Sequence, residues 1–97
     1  MRLRYDVRAI QDLRDIRAYL ATHASPTVAA KVRSHLQARA NRLRAHPFLG
    51  IASSNPDIRI LPATRYPYRI YYTVLADEVV ILHVRHTARQ APDDLKT

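Results

Sequence analysis

Apolar residues in the first part of the chain recur with the period of an α-helix. Over residues 8–23 they form one stripe, made of Ala9, Leu13, Ile16 and Leu20. The opposite side of the same helix is polar and carries Asp12, Arg14, Asp15 and Thr22. Asp6 stands at the N-cap position, where its carboxylate can accept a hydrogen bond from a free backbone N–H. The pattern therefore predicts an amphipathic helix that packs through one face.

A second helical pattern begins at Ser25 and Pro26. Serine is a favoured N-cap, and proline suits the first helical position because it has no N–H to leave unpaired. One apolar face follows, made of Ala29, Val32, Leu36, Ala40 and Leu43. Pro47 ends this helix. Because only residues 23–25 separate the two helices, they are expected to form an antiparallel hairpin.

The second half of the chain changes to the alternation that is typical of β-strands. The predicted strands span residues 57–61, 68–75 and 79–85, and a short strand spans residues 2–5. Asp77 and Glu78 form the turn between the last two strands. The order strand, helix, helix and three strands predicts an α+β fold in which the helical hairpin covers one face of a small antiparallel sheet. One domain of residues 1–97 accounts for the whole chain.

Strand alternation divides the side chains between the two faces of this sheet. The wholly apolar sides, Ile58 with Ile60 and Val80 with Leu82, are expected beneath the helices. The open face would then gather Arg59, Leu61, Arg69, Tyr71, Val79, Ile81, His83 and Arg85. Cations interleaved with apolar residues are typical of a surface that a partner covers. The alternative is that the last strand is central in the sheet and is half-buried by the C-terminal tail.

Charge narrows the choice of partner. Sixteen Lys and Arg residues oppose eight Asp and Glu residues, a formal net charge of +8 that favours nucleic acid or an acidic protein. The absence of cysteine excludes disulfide scaffolds and thiolate zinc sites. The N-terminal residues lack the apolar run of a signal peptide, and no stretch is apolar for long enough to span a membrane. We therefore expect a cytoplasmic protein that does not contact membranes.

The side-chain inventory excludes most catalytic sites. A single glycine excludes a Gly-rich phosphate loop, and the serines lack a Gly-x-Ser-x-Gly elbow. His83 and His86 would point to opposite faces of a strand, so neither a metal site nor a cofactor is predicted. Metal-free cleavage of RNA by its own 2′-hydroxyl fits the inventory. The arginines of the open face and Arg89 would stabilise the phosphate, and His83 or His86 would transfer protons.

Four segments, taken in their order and spacing, carry a family resemblance. They are Ala9–Leu13, Leu43–Gly50 (LRAHPFLG), Arg59–Val74 (RILPATRYPYRIYYTV) and Asp77–Arg89 (DEVVILHVRHTAR). Together they resemble the RelE/ParE superfamily of toxins from bacterial type II toxin–antitoxin modules over nearly the whole chain. The resemblance implies the strand–helix–helix–three-strand fold. It also implies a toxin that is held inactive by a cognate acidic antitoxin wrapped over the open sheet face.

The superfamily divides by target: RelE-like members cut messenger RNA on the ribosome, and ParE-like members poison DNA gyrase. For a nuclease, the resemblance implies that Arg69 and Arg89 are catalytic. A tyrosine expected after the second arginine falls near Leu95, and a lysine pair expected near the first of the three strands is replaced by Arg59 and Pro62. A nuclease would therefore have to use a histidine for proton transfer.

The end of the last strand favours the other branch. Residues 83–89, HVRHTAR, are similar to the Val-x-His-Gly-x-Arg ending of ParE-like members, with Thr87 in the place of the glycine. We therefore expect a ParE-like inhibitor of gyrase without catalysis of its own. The alternatives are a ribosome-dependent mRNA endonuclease that uses Arg69, Arg89 and His86, a decayed toxin that still binds its antitoxin, and a basic nucleic-acid-binding module. The residues predicted to bind the antitoxin or the target are Arg59, Leu61, Arg69, Tyr71, His83, Arg85 and Arg89.

Overall fold

Two helices pack on one face of a five-stranded sheet in the structure, a computed structural model that describes residues 1–95. The helices are α1 (Val7–His23) and α2 (Pro26–Asn41), and a 3-10 helix follows α2 at Arg42–Arg44. The strands are β1 (Arg2–Tyr5), β2 (Ile51–Ala52), β3 (Arg59–Pro62), β4 (Tyr68–Val74) and β5 (Glu78–His86). A second 3-10 helix, Asp93–Leu95, lies in the C-terminal tail.

Both helices begin at the predicted caps. The Asp6 carboxylate accepts a hydrogen bond from the Arg8 N–H at 3.0 Å, and the Ser25 hydroxyl accepts one from the Val28 N–H at 3.1 Å. Each cap satisfies a backbone donor that the first turn of a helix leaves free. Regular α-helix ends at Asn41, before the predicted stop at Pro47, because the next turn tightens into the 3-10 form. No helix in residues 1–95 has both the length and the apolar character that crossing a membrane requires.

The predicted apolar faces of the helices form one side of the main core. All five residues of the α2 stripe are buried, namely Ala29, Val32, Leu36, Ala40 and Leu43. In α1, Ala9 is buried and the other three residues of its stripe are partly buried against the core. The sheet side of this core is made of Leu61, Tyr68, Ile70, Tyr72, Val79, Ile81 and Val84. Each large side chain fully buried here stabilises the fold by about 1.5–3 kcal/mol.

The sheet order is β1-β5-β4-β3-β2, which places β5 in the interior of the sheet. The three predicted C-terminal strands form an antiparallel meander, and β1 pairs with β5 in parallel, with Leu3 opposite Val79. The sheet is therefore mixed rather than wholly antiparallel, and the short edge strand β2 adds a fifth member that the sequence did not predict. The predicted α+β fold class is confirmed.

The predicted assignment of side chains to the two faces is wrong for β3 and for the part of β5 before its bulge, whereas Val84 beyond the bulge lies beneath the helices as predicted. Leu61 lies opposite Ile70, and it is buried beneath the helices together with Val79 and Ile81. A bulge explains part of the difference: Tyr71 pairs with His83 and Tyr72 pairs with Ile81, so Leu82 is an extra residue on β5. An extra residue reverses the alternation of side chains beyond it.

The second face of the sheet is covered by the C-terminal tail, and we call it the tail face. Ile58, Tyr71, Val80 and Leu82 form a second apolar cluster there, closed by Leu95 and flanked by Ile60 and Ala91. Ile58, Val80 and Leu82 were expected beneath the helices and instead lie on this face. The alternative interpretation of the open face, a central last strand covered by the tail, is therefore confirmed.

Charged contacts hold the tail in place. The Asp94 carboxylate lies 3.1 Å from Nε2 of His83 and also pairs with the Arg8 guanidinium. On its other side, Nδ1 of His83 lies 2.8 Å from the Asp12 carboxylate, which also accepts a hydrogen bond from the Val84 N–H at 2.9 Å. Asp12 was predicted on the exposed side of α1 and instead joins that helix to β5.

The loop before β2 is anchored from the core. The buried Tyr72 hydroxyl donates to the Pro47 carbonyl at 2.8 Å and accepts from the Gly50 N–H at 2.9 Å. The Arg59 guanidinium donates to the carbonyls of Gly50, at 2.5 Å, and Phe48, at 3.2 Å. A Cβ at position 50 would lie 2.7 Å from the Tyr72 ring and 2.9 Å from the Ile60 carbonyl, so glycine is required for this approach.

Replacing Tyr72 with phenylalanine keeps the ring in the core but removes the hydroxyl between Gly50 and Pro47. We expect the free energy of unfolding to fall by about 1–3 kcal/mol, because the two backbone groups lose their partner. Urea denaturation at constant pH measures the change. Tyr19→Phe is the matched control: Tyr19 is 59% exposed, and its hydroxyl makes no hydrogen bond in the described residues. Equal stability of the two variants would contradict this role for Tyr72.

The tail attachment is expected to weaken in acid. Burial raises the pKa of Asp94, but hydrogen bonds from His83 and Arg8 outweigh this effect and hold the pKa below its ordinary value of 3.8. The stabilisation is therefore complete above that ordinary value and is lost as the pH falls through the lower folded pKa. Thermal unfolding midpoints of the wild type and Asp94→Asn should differ above about pH 4 and should converge as the pH falls further below it. Asp57→Asn, whose carboxylate makes no contact in the described residues, should follow the wild type at every pH.

Candidate partner-binding site

Four of the seven predicted binding residues are not available to a partner in this fold. Leu61 is 1% exposed in the main core, and Tyr71, 3% exposed, lies beneath the tail. His83 is buried between two carboxylates. The half-buried Arg59 anchors a loop through its guanidinium. Their placement on a freely accessible face was wrong, because the tail covers one side of the sheet and the helices cover the other.

Arg69 and Arg85 form the charged centre of the remaining surface. They are direct neighbours on β4 and β5, and both are half-buried. Arg69 reaches only the Thr87 carbonyl, at 3.5 Å, and Nε of Arg85 is buried without a hydrogen-bond partner. Within residues 1–95 neither guanidinium pairs with a carboxylate. Opposed like charges destabilise a sheet, so this pair costs stability in the free chain.

A cleft of about 530 Å³ lies beside this pair, between α1 and the end of β5. Its lining is Asp12, Asp15, Ile16, Tyr19, Tyr68, Val84, Arg85, His86 and Arg89. The cations come from the end of β5 and the turn after it, and the carboxylates come from α1. Burial raises the pKa of Tyr68, which keeps its phenol neutral at physiological pH. The cleft therefore offers an apolar floor with charges of opposite sign on its two walls.

Backbone hydrogen bonds fix the turn that carries Arg89. The Thr87 N–H donates to the Pro67 carbonyl at 2.8 Å, and the Arg89 N–H donates to the His86 carbonyl at 3.0 Å. The Ala88 N–H donates to Nδ1 of His86 at 3.0 Å. The Arg89 side chain is exposed on this turn. The turn thus presents a third cation close to the end of β5.

Of the three residues proposed for nuclease chemistry, His86 and Arg89 line the same cleft and Arg69 does not. His86 packs edge-on against Tyr68, with ring centroids 5.5 Å apart, and therefore points to the helix side of the sheet. Arg69 follows Tyr68 in the same strand and points to the opposite side. His83 is already held by Asp12 and Asp94. Within residues 1–95, no three His, Asp or Glu side chains are grouped so as to hold a metal ion.

Sequence reasoning missed Asp12 and Asp94 as partners of His83. The helical period placed Asp12 with the exposed residues of α1, and Asp94 carried no strand or helix pattern. The signal that could have found them is the lone histidine in the apolar run of β5, since a buried polar ring needs partners. Tyr19, a wall of the cleft, was likewise not assigned to the site.

Comparison with known proteins agrees with this architecture. Residues 3–91 match the family model described as the ParE toxin of the type II toxin–antitoxin system parDE. A structure of the chromosomal ParDE system from P. aeruginosa is 25% identical, with a TM-score of 0.81, and the match covers 89% of this chain and 95% of that one. A search of curated protein sequences finds no match.

Two RelE structures from E. coli share the fold. The isolated RelE toxin is 19% identical with a TM-score of 0.68, covering 92% of this chain and 86% of that one. A chain of the intact RelBE toxin–antitoxin complex is 20% identical with the same TM-score of 0.68, and the match covers 91% of this chain and 98% of that one. The family model confirms the resemblance to the RelE/ParE superfamily in its ParE-like branch, and the two E. coli structures agree with it in fold. With a family model matched over most of its length, this chain belongs to the ParE toxin family of type II toxin–antitoxin systems.

Proposed function

We propose that this chain arrests bacterial growth from the cytoplasm by inhibiting DNA gyrase, and that an acidic antitoxin encoded beside it neutralises it. The observation that carries the proposal is the opposed pair Arg69 and Arg85, which no carboxylate of residues 1–95 neutralises. Together with the exposed Arg89 they form a cationic surface at one end of the sheet. That surface suits an acidic protein segment, because bidentate arginine–carboxylate contacts are strong and directional.

The antitoxin part of the proposal rests on family and charge together. The similar chains come from a ParDE toxin–antitoxin system and from a RelBE toxin–antitoxin complex. This chain carries a formal charge of +8, which steers an acidic partner towards it. The contacts proposed here are Arg69, Arg85 and Arg89. Leu61, Tyr71 and His83 support these positions from within the fold rather than touching the antitoxin.

The choice of gyrase over RNA rests on proton transfer. Cleavage of RNA needs a base and an acid beside the scissile phosphate, and loss of one such catalyst typically costs about 10²–10⁴-fold. Arg69 and His86 point to opposite sides of the sheet, and His83 is engaged by two carboxylates. A phosphate held by Arg69 would therefore lie on the opposite side of the sheet from His86 and would lack both catalysts. Inhibition by binding alone suits this surface better than a metal-independent endoribonuclease.

Ribosome-dependent cleavage of messenger RNA is the second candidate, and the unpaired Nε of Arg85 favours it. A buried guanidinium donor without a partner can stabilise the extra negative charge of a phosphorane. In that case Arg69, Arg85 and Arg89 stabilise the transition state, and His86 has to turn away from Tyr68 to transfer a proton. Two further alternatives are a decayed toxin and a plain nucleic-acid-binding module, and growth and DNA-binding assays distinguish them.

Reversing the charge of Arg69 or Arg85 to glutamate should weaken the antitoxin complex. We expect the dissociation rate constant to rise roughly tenfold or more, because a repulsive pair replaces an attractive one. The free variants should keep or gain stability, since each gains a cross-strand Arg–Glu pair. Binding kinetics with the purified product of the adjacent gene measure the effect. Lys31→Glu, the same charge change at an exposed site on α2, is the control.

Absence of a wild-type complex in size-exclusion chromatography contradicts the antitoxin proposal.

Replacing Arg89 with alanine should relieve growth arrest without unfolding the protein, because its side chain is exposed and outside the core. The wild type should inhibit supercoiling by purified gyrase and leave the message on programmed ribosomes intact. Arg89→Ala should lose this inhibition, and Lys31→Ala should retain it. Codon-phased cuts in the message with gyrase unaffected would reverse the choice of target. Normal growth under strong, verified expression of the wild type would identify a decayed toxin. If the purified protein bound duplex DNA but neither gyrase nor ribosomes, it would be identified as a nucleic-acid-binding module.

A further inference from the structure

A second surface stands apart from the arginine pair, on the loop between the first 3-10 helix and β2. Two exposed apolar side chains project from this loop and a third from the first residue of β2: Phe48 is 66% exposed, Leu49 is 42% exposed and Ile51 is 61% exposed. We call these three residues the apolar loop. Single exposed apolar residues are ordinary, but a group of three in one short segment marks a surface that is covered by a partner.

The apolar loop is held rigidly from below. The Tyr72 hydroxyl bonds Pro47 and Gly50, and the Arg59 guanidinium bonds Gly50 and Phe48 while lying 5.4 Å from the centre of the Phe48 ring. The Tyr72 hydroxyl and the Arg59 guanidinium thus fix the backbone of the apolar loop, although the apolar side chains of the loop are themselves exposed. Pre-organisation of this kind lowers the entropy lost on binding, which is the property of a docking surface.

The charges around the apolar loop indicate the chemistry of its partner. Arg42 and His46 line a cleft of about 460 Å³ together with Pro47, Phe48 and Leu49, and no carboxylate lines it. Neither the Arg42 nor the His46 side chain has a partner within residues 1–95. A second copy of this chain would bring two such cationic surfaces together at a net charge of +8 each. A bare polyanion would leave the three apolar side chains uncovered.

We propose that the apolar loop is a docking site for the antitoxin, which covers Phe48, Leu49 and Ile51 with apolar side chains and places carboxylates against Arg42 and His46. This inference rests on the proposed function and adds a second contact to the one at Arg69 and Arg85. The first contact lies on the interior strands β4 and β5 and the second lies beside the edge strand β2, so the antitoxin segment reaches from the end of β5 to the β2 edge. Two linked contacts bind more tightly than either contact alone.

The test uses the purified product of the adjacent gene and the double variant Leu49→Ser/Ile51→Ser. This variant keeps Phe48 on Arg59 and leaves every anchor of the loop in place. We expect the dissociation constant to rise roughly tenfold, because central apolar anchors carry most of the energy of an interface. The control is Leu75→Ser in the turn between β4 and β5, where the side chain is 45% exposed. Arg42→Glu should also weaken the complex and should reduce its salt dependence, and Lys31→Glu should do neither.

The outcomes separate this proposal from the proposed function. Wild-type binding that the double variant retains overturns the docking site and leaves the antitoxin proposal standing. No wild-type binding overturns both. Unchanged antitoxin binding with lost growth arrest assigns the apolar loop to the cellular target and also overturns the proposal. Thermal unfolding midpoints of the double variant and of Leu75→Ser, both at exposed positions, should agree with the wild type and so exclude misfolding as the cause.

Discussion

Most of this structure follows from the need to cover both faces of one apolar strand. Val79, Val80, Ile81 and Leu82 are consecutive in β5 and all are buried, so neither face of that strand can meet water. The helical hairpin covers one face, and the C-terminal tail covers the other. β5 ends at His86, and the turn through which the tail returns across the sheet carries the exposed Arg89. The cationic surface is thus placed by the same constraint that builds the core.

Local patterns predicted the helices well, because caps and stripes act within a few residues. Asp6, Ser25 and Pro26 mark the helix starts that the structure has, and the α2 stripe is buried throughout. The two faces of the sheet were harder to predict, since register and a bulge at Leu82 decide them across strands. The continuous apolar run of β5 carried the missing information, because such runs belong to strands that are buried on both sides.

The candidate site was predictable only where a residue has no partner inside the chain. Arg69, Arg85 and Arg89 were named from the sequence, and within residues 1–95 none of them forms an ion pair. His83 and Arg59 were named for the same reason, yet Asp12, Asp94 and the Gly50 carbonyl engage them. Asp12 lies 71 positions from His83, so no local pattern links them. A cation in a strand indicates a binding site only once its neighbours in space are known.

Salt weakens both interactions of the opposed arginines: their mutual repulsion in the free protein and their attraction to an acidic partner in a complex. In the free protein, counterions screen the repulsion between Arg69 and Arg85, so this pair costs less stability at high ionic strength. In a complex with an acidic partner, the same counterions screen the attraction and loosen the interface. A complex with an acidic partner would therefore be weakest under the conditions in which the repulsion between the two arginines of the free chain is smallest. Dilute buffers would favour the complex and would leave an unpartnered chain prone to binding any polyanion it meets.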